Sequence, residues 1–307
     1  MRISLYQPLS FLQKGNREYQ EDARFPDADS PENAKNFFIV CDGVGGSEHG
    51  DVASKTVANA FAEKMNKMNL DSPFSNDDFS DVLDYAYDRL DQIAKTVKGD
   101  MATTLTFLAF HADGAFMAHI GDSRIYHLRK DVGVVNKSDD HSLVNSMVRN
   151  GIISPEQGVD HPQDNVITRC MQPVYGNENR SQATVLCTND VKKDDFFLLC
   201  SDGVYKCIKE DVLISLILDN NATDEQKMKK IAQLCMNSDD NNTAFFVHVW
   251  NVENDKTQLD NGEDKSLENA STRRFSRYRS QSFEIESNTP KKDKSQSLWN
   301  RFKNLFS

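Results

Sequence analysis

Short apolar runs in the middle of the chain predict antiparallel strands. Brief turn-forming segments (HADG, GDS and KDVG) separate four of these runs, at 103–110, 115–120, 124–129 and 133–137. Strands spaced so closely pair with their neighbours in antiparallel hairpins. Further apolar runs predict strands in three other places, at 36–41, 195–200 and 243–250.

Helical periodicity marks four other segments. Apolar residues recur every three or four positions along 51–68, where one stripe contains Ala53, Val57, Ala60, Phe61, Met65 and Met68. Similar patterns cover 77–97, 209–219 and 223–237. In the predicted order, a group of helices follows the first strand and a group of strands comes after these helices. This order indicates a layered α+β fold rather than alternating βαβ units.

Two apolar runs end in an aspartate followed by glycine. NFFIVCDGVGG (36–46) reaches Asp42, and DFFLLCSDGV (195–204) reaches Asp202. A buried, unpaired carboxylate is costly, so a core strand should not end in this way unless the charge is used. A single Asp-Gly pair is a common turn, but its repetition indicates a site.

Acidic residues stand at five such junctions: Glu21 with Asp22, Asp42, Asp122, Asp202, and Asp239 with Asp240. If the strands lie side by side, their ends meet at one rim, where the carboxylates repel one another unless cations neutralise them. Oxygen-rich sites suit Mg²⁺ or Mn²⁺, and the His and Cys ligands of zinc are missing from these junctions. Two such ions can activate water toward a phosphate ester, and Arg17 is the candidate to hold the phosphate.

Composition narrows the function classes. The net charge of −11 argues against nucleic acid as a general partner, while 38% hydrophobic residues suffice for a core. The amino-terminal residues show no apolar stretch with a cleavage site, and nowhere do about 18 apolar residues run together. The six cysteines form no CxxC pair. We therefore expect buried, reduced thiols and a cytoplasmic protein, with export without a cleaved signal left open.

Seven segments occur in the order found in one enzyme family: GNREYQEDA, CDGVGGSEHGDVAS, GDMATTL, AHIGDSRIYHLR, DHSLVNSMVRNGIISPEQ, LLCSDGV and SDDNNTAFFV. On these motifs the chain resembles the metal-dependent serine/threonine phosphatases of the type 2C class, in their bacterial form. The resemblance covers about residues 8–250. It implies a four-layer α-β-β-α sandwich, in which helices flank two antiparallel sheets and a dimetal site lies at one end.

The resemblance implies a set of metal-binding residues: Glu21, Asp22, Asp42, Gly43, Asp122, Asp202 and Asp240. Asp42 would bridge two Mn²⁺ or Mg²⁺ ions, and the Gly43 carbonyl would ligate the first. Asp202 and Asp240 would complete the second ion, whose waters Glu21 or Asp22 would hold. Asp122 would share a third, weaker ion with Asp202.

Other implied roles concern the phosphate, the leaving group and the substrate. Arg17 would grip the phosphate, and the segment 136–183 would form a mobile flap that selects substrates. The family often has a histidine soon after the first Asp-Gly pair, and His49 in DGVGGSEHG is the nearest candidate for the acid that protonates the leaving alkoxide. The alternative is an exposed histidine at a helix start, with metal-bound water as the acid. Gln20 replaces a common Asn and DNNT replaces DN-apolar-T, but neither change removes a ligand.

The implied reaction is hydrolysis of phosphoserine and phosphothreonine in proteins. A metal-bridging hydroxide would attack the phosphorus, without a covalent enzyme intermediate, in a monomeric enzyme whose partners are phosphorylated proteins. Ser123 in GDSR is predicted to cap a turn rather than to act as a nucleophile. Two alternatives stay open: a phosphoprotein-binding module without turnover, which predicts substituted ligands, and a phosphatase for small phosphorylated molecules.

The composition of the chain changes near Trp250. We expect a catalytic domain at 1–250 and a disordered linker, rich in Ser, Asn and charged residues, at 251–297. The last residues, 298–307, predict a short basic amphipathic helix that packs on the domain, on a partner or on an anionic membrane. Serines beside arginines at 273–282 are candidate phosphorylation sites.

Overall fold

The computed structural model describes residues 1–26, 36–174 and 180–253. The chain divides into two units, Met1–Asp255 and Lys256–Ser307, and the second lies outside the described residues. The linker, beyond the first few residues of 251–297, and the helix at 298–307 therefore stay predictions. Among the helices in the described ranges, none is long and apolar enough to cross a membrane.

Two antiparallel sheets form the centre of the first unit. Their strands are β1 (Arg2–Leu5), β2 (Leu9–Gln13), β3 (Ala23–Phe25), β4 (Phe37–Cys41), β5 (Leu105–His111), β6 (Gly114–Ile120), β7 (Arg124–Arg129), β8 (Gly133–Lys137), β9 (Thr184–Thr188), β10 (Phe196–Cys200) and β11 (Asn242–Glu253). One sheet has the order β1-β11-β10-β7-β8, with β2 also paired to β11, and the other has the order β3-β4-β5-β6-β9. Neighbouring strands pair antiparallel throughout both sheets.

Helices accompany both sheets. They are α1 (Gly50–Met65), α2 (Asn76–Ala94), α3 (Leu143–Arg149), α4 (Pro155–Gly158), α5 (Asp202–Tyr205), α6 (Glu210–Leu218) and α7 (Asp224–Leu234). Capping boxes begin two of the long helices, with Ser75 and Asp78 at α2 and with Thr223 and Gln226 at α7. Such caps satisfy backbone amides that have no partner inside the helix, which fixes where each helix starts.

The central strands are buried on both faces, which explains their continuous apolar runs. In β4, Phe38 and Val40 point between the sheets, where they meet residues such as Phe197 of β10. The alternate residues Phe37 and Ile39 belong to a second cluster on the other face of the sheet. A strand with a two-residue side-chain period therefore supplies two cores at once.

The outer layers are helical. Helices α1 and α2 cover the five-stranded sheet, and the Phe61 ring of α1 lies 5.5 Å from the Phe107 ring of β5. Helices α6 and α7 cover the six-stranded sheet, where Leu213 and Ile231 pack with Phe246. The predicted α+β sandwich of four layers, helix, sheet, sheet and helix, is confirmed.

Some predictions of detail were wrong. Strand β11 continues past Trp250 to Glu253 because its last residues pair with β1. Four short strands (β1, β2, β3 and β9) had no clear alternation in the sequence. Cys41, Cys200 and Cys235 are buried, as expected for the thiols, but Cys187 and Cys207 are exposed; all six cysteines are free.

Candidate metal centre

Strand register brings the acidic junctions of the six-stranded sheet together. Cys200 of β10 pairs with Arg124 at the start of β7 and with Ala244 near the start of β11. The residues just outside these positions therefore share one end of the sheet. They include Asp122, Asp202 and Asp240.

Asp42 follows the end of β4 and is held there through its backbone. Cys41 pairs with Ala23 of β3, so Asp42 lies at the same end of the neighbouring sheet. Its amide donates to Thr104 Oγ1 at 3.0 Å, and its carbonyl accepts from the Thr104 amide at 2.8 Å and the Thr103 hydroxyl at 2.9 Å. Three hydrogen bonds from one dipeptide leave the backbone of Asp42 little freedom, so the direction of its side chain is preset.

Gly43 lies where no side chain would fit. A Cβ at this position would come within 2.6 Å of the Gly50 carbonyl carbon and 2.8 Å of the Glu21 carbonyl oxygen. The Gly43 amide also donates to the Glu21 carbonyl at 3.1 Å. The absence of a side chain therefore lets the loop after Asp42, the start of α1 and the segment before β3 pack together.

Asp22 is the most enclosed carboxylate of the site, with 1% of its surface exposed. Its Oδ2 accepts from Ser201 Oγ at 2.8 Å, while its Oδ1 is buried without a hydrogen-bond partner. Burial raises the pKa of Asp22 to about 7, against the opposing effect of the nearby Thr243 and Ser201 hydroxyls. A buried carboxylate oxygen with no donor is a feature that a bound cation would satisfy.

Asp202 begins α5, directly after the buried strand β10. Its side chain is 13% exposed, and its Oδ2 lies 2.5 Å from Lys206 Nζ, one helical turn later. The preceding Ser201 is tied to β11, because Ser201 Oγ accepts from the Thr243 amide at 2.9 Å. Asp202 is therefore fixed from both sides, by the strand before it and the lysine after it.

Asp122 occupies the turn between β6 and β7 and is 6% exposed. Burial, together with the neighbouring Asp202 and Asp140, raises the pKa of Asp122 to about 7, while Lys206 acts in the opposite direction. The next residue, Ser123, shares a 2.7 Å hydrogen bond with Thr104 Oγ1. This bond ties the turn to the dipeptide that holds Asp42, which agrees with a structural role for the serine.

Asp240 is paired with Arg17. Arg17 Nη2 lies 2.8 Å from Asp240 Oδ2, and Arg17 Nε donates to the Asp239 carbonyl at 3.1 Å. Asp239 itself accepts from Asn16 Nδ2 at 3.3 Å, so the two consecutive aspartates have different partners. The arginine side chain is 45% exposed, and a Cβ on Gly45 would lie 4.0 Å from both of its Nη atoms. Arg17 thus lies beside the loop that follows Asp42, with part of its guanidinium open to solvent.

Asn241 joins the two loops that carry Arg17 and Asp240. Its Oδ1 accepts from the Glu21 amide at 2.8 Å, and its Nδ2 donates to the Lys14 and Tyr19 carbonyls at 2.8 and 3.0 Å. Gly15 closes the same contact, because a Cβ there would lie 2.4 Å from the Asp240 carbonyl oxygen. The first acidic junction is therefore docked on the last one.

Glu21 lies on the Arg17 side of the site. A Cβ on Gly50 would come within 3.1 Å of Glu21 Oε1. Burial raises the pKa of Glu21, Arg17 lowers it, and Asp51 and Asp240 raise it. Of the two adjacent acids, Asp22 interacts with Asp42 and Asp202, whereas Glu21 interacts with Arg17 and Asp240.

The carboxylates form one electrostatic cluster around Asp42. Burial raises the pKa of Asp42 well above its ordinary value, and the charges of Asp22, Asp202, Asp122 and Asp240 raise it further, in that order. Like charges held this close make the ionised state costly in the absence of cations. The cluster therefore favours the binding of positive charge over full ionisation of the carboxylates alone.

His49 is the residue immediately before α1. Its Nε2 lies 2.9 Å from the Lys98 carbonyl oxygen, and a Cβ on Gly99 would come within 3.1 Å of its ring. One ring nitrogen is thus engaged by the 98–100 loop rather than by a carboxylate. The geometry agrees with the alternative that His49 is a residue of the helix start, and its catalytic role stays a prediction.

The two departures from the family pattern are accommodated locally. Gln20 Oε1 accepts from the Asp22 amide at 2.9 Å, which fixes the backbone of that acid. Asn242, the residue that makes DNNT unusual, is buried and donates to the carbonyls of Cys235 and Asp240 at 3.1 and 3.2 Å. Both side chains therefore support the acidic loops instead of removing a ligand.

The acidic cluster matches a divalent cation in its donor atoms rather than in its present side-chain arrangement. Within the described ranges, no three His, Cys, Asp or Glu side chains are arranged to hold one metal ion. The acids instead contact protein groups: Arg17 on Asp240, Lys206 on Asp202 and Ser201 on Asp22. The chemistry still fits Mg²⁺ or Mn²⁺, since the donors are all oxygens and Asp22 Oδ1 lacks a partner.

The sequence pattern singled out the acids that the structure brings together, but it missed the residues that hold them. The missed residues are Thr103, Thr104, Ser201, Asn241, Thr243 and Lys206. One signal was readable, because Lys206 follows Asp202 by four residues, the spacing of an ion pair on a helix. The others join segments far apart in the chain and leave no local pattern.

Comparison with known proteins gives the family. The family model for protein phosphatase 2C matches residues 15–244. A putative protein phosphatase 2C-type of Streptococcus pyogenes serotype M6 is 27% identical over 261 residues, which is 81% of this chain and 97% of that protein.

Two solved structures have a similar fold. Serine/threonine phosphatase Stp1 of Staphylococcus aureus has a TM-score of 0.68 at 26% identity, covering 83% of this chain and 98% of its own. The catalytic domain of the serine/threonine protein phosphatase PstP, in complex with two manganese ions, has a TM-score of 0.63 at 22% identity and covers 80% and 99%. Since the family match takes in every acidic junction from Glu21 to Asp240, this chain belongs to the protein phosphatase 2C family.

Proposed function

We propose that this chain hydrolyses phosphoserine and phosphothreonine in proteins, with the aid of divalent cations. The observation that carries this proposal is the cluster of carboxylates around Asp42, with the partly exposed Arg17 beside it. Acidic oxygens suit the metal ions, and a guanidinium suits the phosphate. The two kinds of group lie at the same end of the sandwich.

Two cations, Mn²⁺ or Mg²⁺, are proposed for the cluster. Bound there, they would neutralise the carboxylates and supply an activated water. The residues proposed to hold them are Asp42, the Gly43 carbonyl, Asp202 and Asp240, with Asp22 or Glu21 nearby. A third ion at Asp122 and Asp202 would have to displace Lys206, which already contacts Asp202.

Arg17 is proposed to orient the substrate phosphate. Its ion pair with Asp240 is partly exposed, with 45% of the arginine side chain and 33% of the aspartate side chain open to solvent. A planar guanidinium can keep one contact with a carboxylate while its remaining N–H groups bind a phosphate oxygen. Asp240 would then hold Arg17 in position, so that the phosphate is aimed at the carboxylate cluster.

The leaving alkoxide needs a proton. His49 is one proposed donor, but its Nε2 contacts the Lys98 carbonyl, so only Nδ1 would be available for the transfer. Water held in the site is the alternative donor. Replacing His49 with Gln distinguishes the two donors. If His49 is the acid, the pH profile of kcat changes in the variant; if water is the acid, the profile stays the same.

The segment 136–183 is proposed to select substrates. Its described parts are anchored near the site, because the His141 amide donates to the Gly121 carbonyl at 2.9 Å. On the other side, the Met171 and Thr103 backbones exchange hydrogen bonds of 2.8 and 3.0 Å. The stretch between these two anchors is therefore proposed to contact a bound peptide.

The test uses phosphopeptides with purified full-length chain. With Mn²⁺, we expect turnover of peptides that carry phosphoserine or phosphothreonine, loss of turnover in Asp42→Asn, and no loss in Asp71→Asn, an exposed aspartate beyond α1. Hydrolysis of small phosphate esters alone would favour the small-molecule phosphatase. Peptide binding without hydrolysis would favour the binding module, and undiminished turnover in Asp42→Asn would overturn the assignment of the site.

The cellular location and the carboxyl-terminal residues enter only as predictions. The free cysteines agree with a reducing, cytoplasm-like compartment. Docking of 298–307 on a membrane or a partner concerns residues outside the described ranges.

A further inference from the structure

Lys206 places a positive charge at the edge of the proposed metal centre. It directly follows α5, and its amide donates to the Asp202 carbonyl at 2.9 Å. This helical turn brings its side chain back over Asp202, and Nζ lies 2.5 Å from Asp202 Oδ2. The lysine side chain is 36% exposed and the aspartate side chain 13%, so the contact is made at the edge of the cluster.

The ammonium group also acts on Asp122. That carboxylate is 6% exposed, and Lys206 is the cation that offsets its repulsion from Asp202 and Asp140. Reciprocally, Asp202 and then Asp122 stabilise the charged lysine against the effect of its own partial burial. The Lys206 ammonium group thus interacts favourably with both Asp122 and Asp202.

The helix that carries Lys206 is fastened to the turn that carries Asp122. The Tyr205 hydroxyl donates to the Asp122 carbonyl at 3.2 Å. The Arg124 guanidinium lies 3.6 Å from the centre of the Tyr205 ring, and Arg124 is held in turn by two hydrogen bonds to Asp140, of 2.9 and 2.7 Å. These contacts fix the spacing between Asp122 and Lys206.

Asp122 and Asp202 are the pair that a third divalent ion would need. A divalent ion on this pair would meet the ammonium group at short range, and like charges at that distance repel. Binding there would therefore require the lysine to leave Asp202. On the opposite side of the cluster, Asp240 is paired with Arg17, which is 45% exposed and is proposed to turn toward the phosphate. Asp42 has no cationic partner among the contacts described above.

We propose that Lys206 is a built-in counter-ion for the Asp122–Asp202 pair, so that this chain binds two divalent ions and not a third. The lysine is a positioning residue that holds Asp202 by its Oδ2. This inference rests on the proposed metal-dependent function.

The test counts bound ions. Equilibrium dialysis of the full-length chain against Mn²⁺, followed by elemental analysis, should give two ions per wild-type chain and three per Lys206→Gln chain. Lys206→Arg keeps the charge and should stay at two. The matched control is Lys209→Gln, which removes an exposed lysine three residues later, and it should also stay at two.

A double variant assigns the extra ion to its site. Lys206→Gln combined with Asp122→Asn should return to two ions, because the third needs both carboxylates. A purely structural role for Lys206 would lower stability without raising the ion count, and an unchanged count in folded Lys206→Gln would overturn the proposal.

The wild-type chain provides an independent outcome. Three ions bound to wild type would overturn the proposal even if Lys206→Gln failed to fold. Two ions in every variant, with phosphopeptide turnover intact, would refute the role of Lys206 and leave the proposed function standing. An absence of Mn²⁺ binding and of turnover in wild type would refute both.

Discussion

Replacing Asp22 with Asn should stabilise the metal-free chain. Asp22 is buried, and one of its two carboxylate oxygens has no hydrogen-bond partner. Asn has nearly the same shape and can still accept the hydrogen bond from Ser201. The substitution therefore removes the cost of a buried charge with little change in packing.

The pKa of Asp22 gives the size of this effect. Burial raises that pKa from 3.8 to about 7, so the folded chain holds its proton at a pH where the unfolded chain has released it. The stability of the metal-free protein must then fall as pH rises from about 4 through about 7. At 1.36 kcal/mol per pKa unit, the free energy of unfolding loses about 4 kcal/mol across this window, of which 2 to 3 kcal/mol falls between pH 5 and 8.

Urea unfolding in EDTA measures the prediction directly. Wild type should lose stability between pH 5 and 8, and Asp22→Asn should lose about 2 kcal/mol less over the same interval. The exposed Asp71→Asn should follow wild type. With saturating Mn²⁺, wild type should become more stable than Asp22→Asn, because the bound cations stabilise the folded wild type. Equal pH slopes for wild type and Asp22→Asn in EDTA would refute the reasoning.

Three further predictions concern phosphate binding, the hydrogen bonds that hold the backbone of Asp42, and residues 298–307. Arg17→Ala should lower kcat/KM for phosphopeptides by about 10- to 100-fold, since a charge-assisted hydrogen bond contributes about 1.5–3 kcal/mol, and Arg17→Lys should recover part of the loss; unchanged kinetics would exclude Arg17. Thr104→Val should cost about 2 kcal/mol in urea unfolding, because the Asp42 amide loses its acceptor; a cost near zero would mean that the bond is dispensable. Deleting 298–307 should reduce sedimentation with anionic liposomes if that segment binds membranes, and equal sedimentation would dispose of the membrane prediction.

The sequence predicted the helices and strands in which apolar positions recur regularly over many residues. Strands β5 to β7 and helix α1 have long apolar patterns, and the structure confirms them within a few residues at each end. Strands β1 and β2 have four and five residues and a mixed burial pattern. Their structure depends on pairing with β11, at the other end of the first unit, so no local pattern could identify them.

The candidate site likewise contains residues that a local sequence pattern could predict and residues that it could not. Asp42 and Asp202 could be predicted because each follows a buried strand, and strand ends meet at one rim. The pairing of Arg17 with Asp240 joins residues 223 positions apart, and only the folded chain brings them together. Lys206 did have a local signal, its helical spacing from Asp202, although α5 itself has only four residues.

We propose that the carboxylates around Asp42 hold two divalent cations. Anomalous diffraction from crystals of this chain grown with Mn²⁺ would locate these ions, because manganese scatters anomalously and the protein atoms scarcely do. We predict two peaks bounded by Asp42, Gly43, Asp202 and Asp240, with Arg17 at the edge of the site and Lys206 still on Asp202. Peaks elsewhere, or no peak at these carboxylates in crystals of active protein, would contradict this assignment of the metal centre.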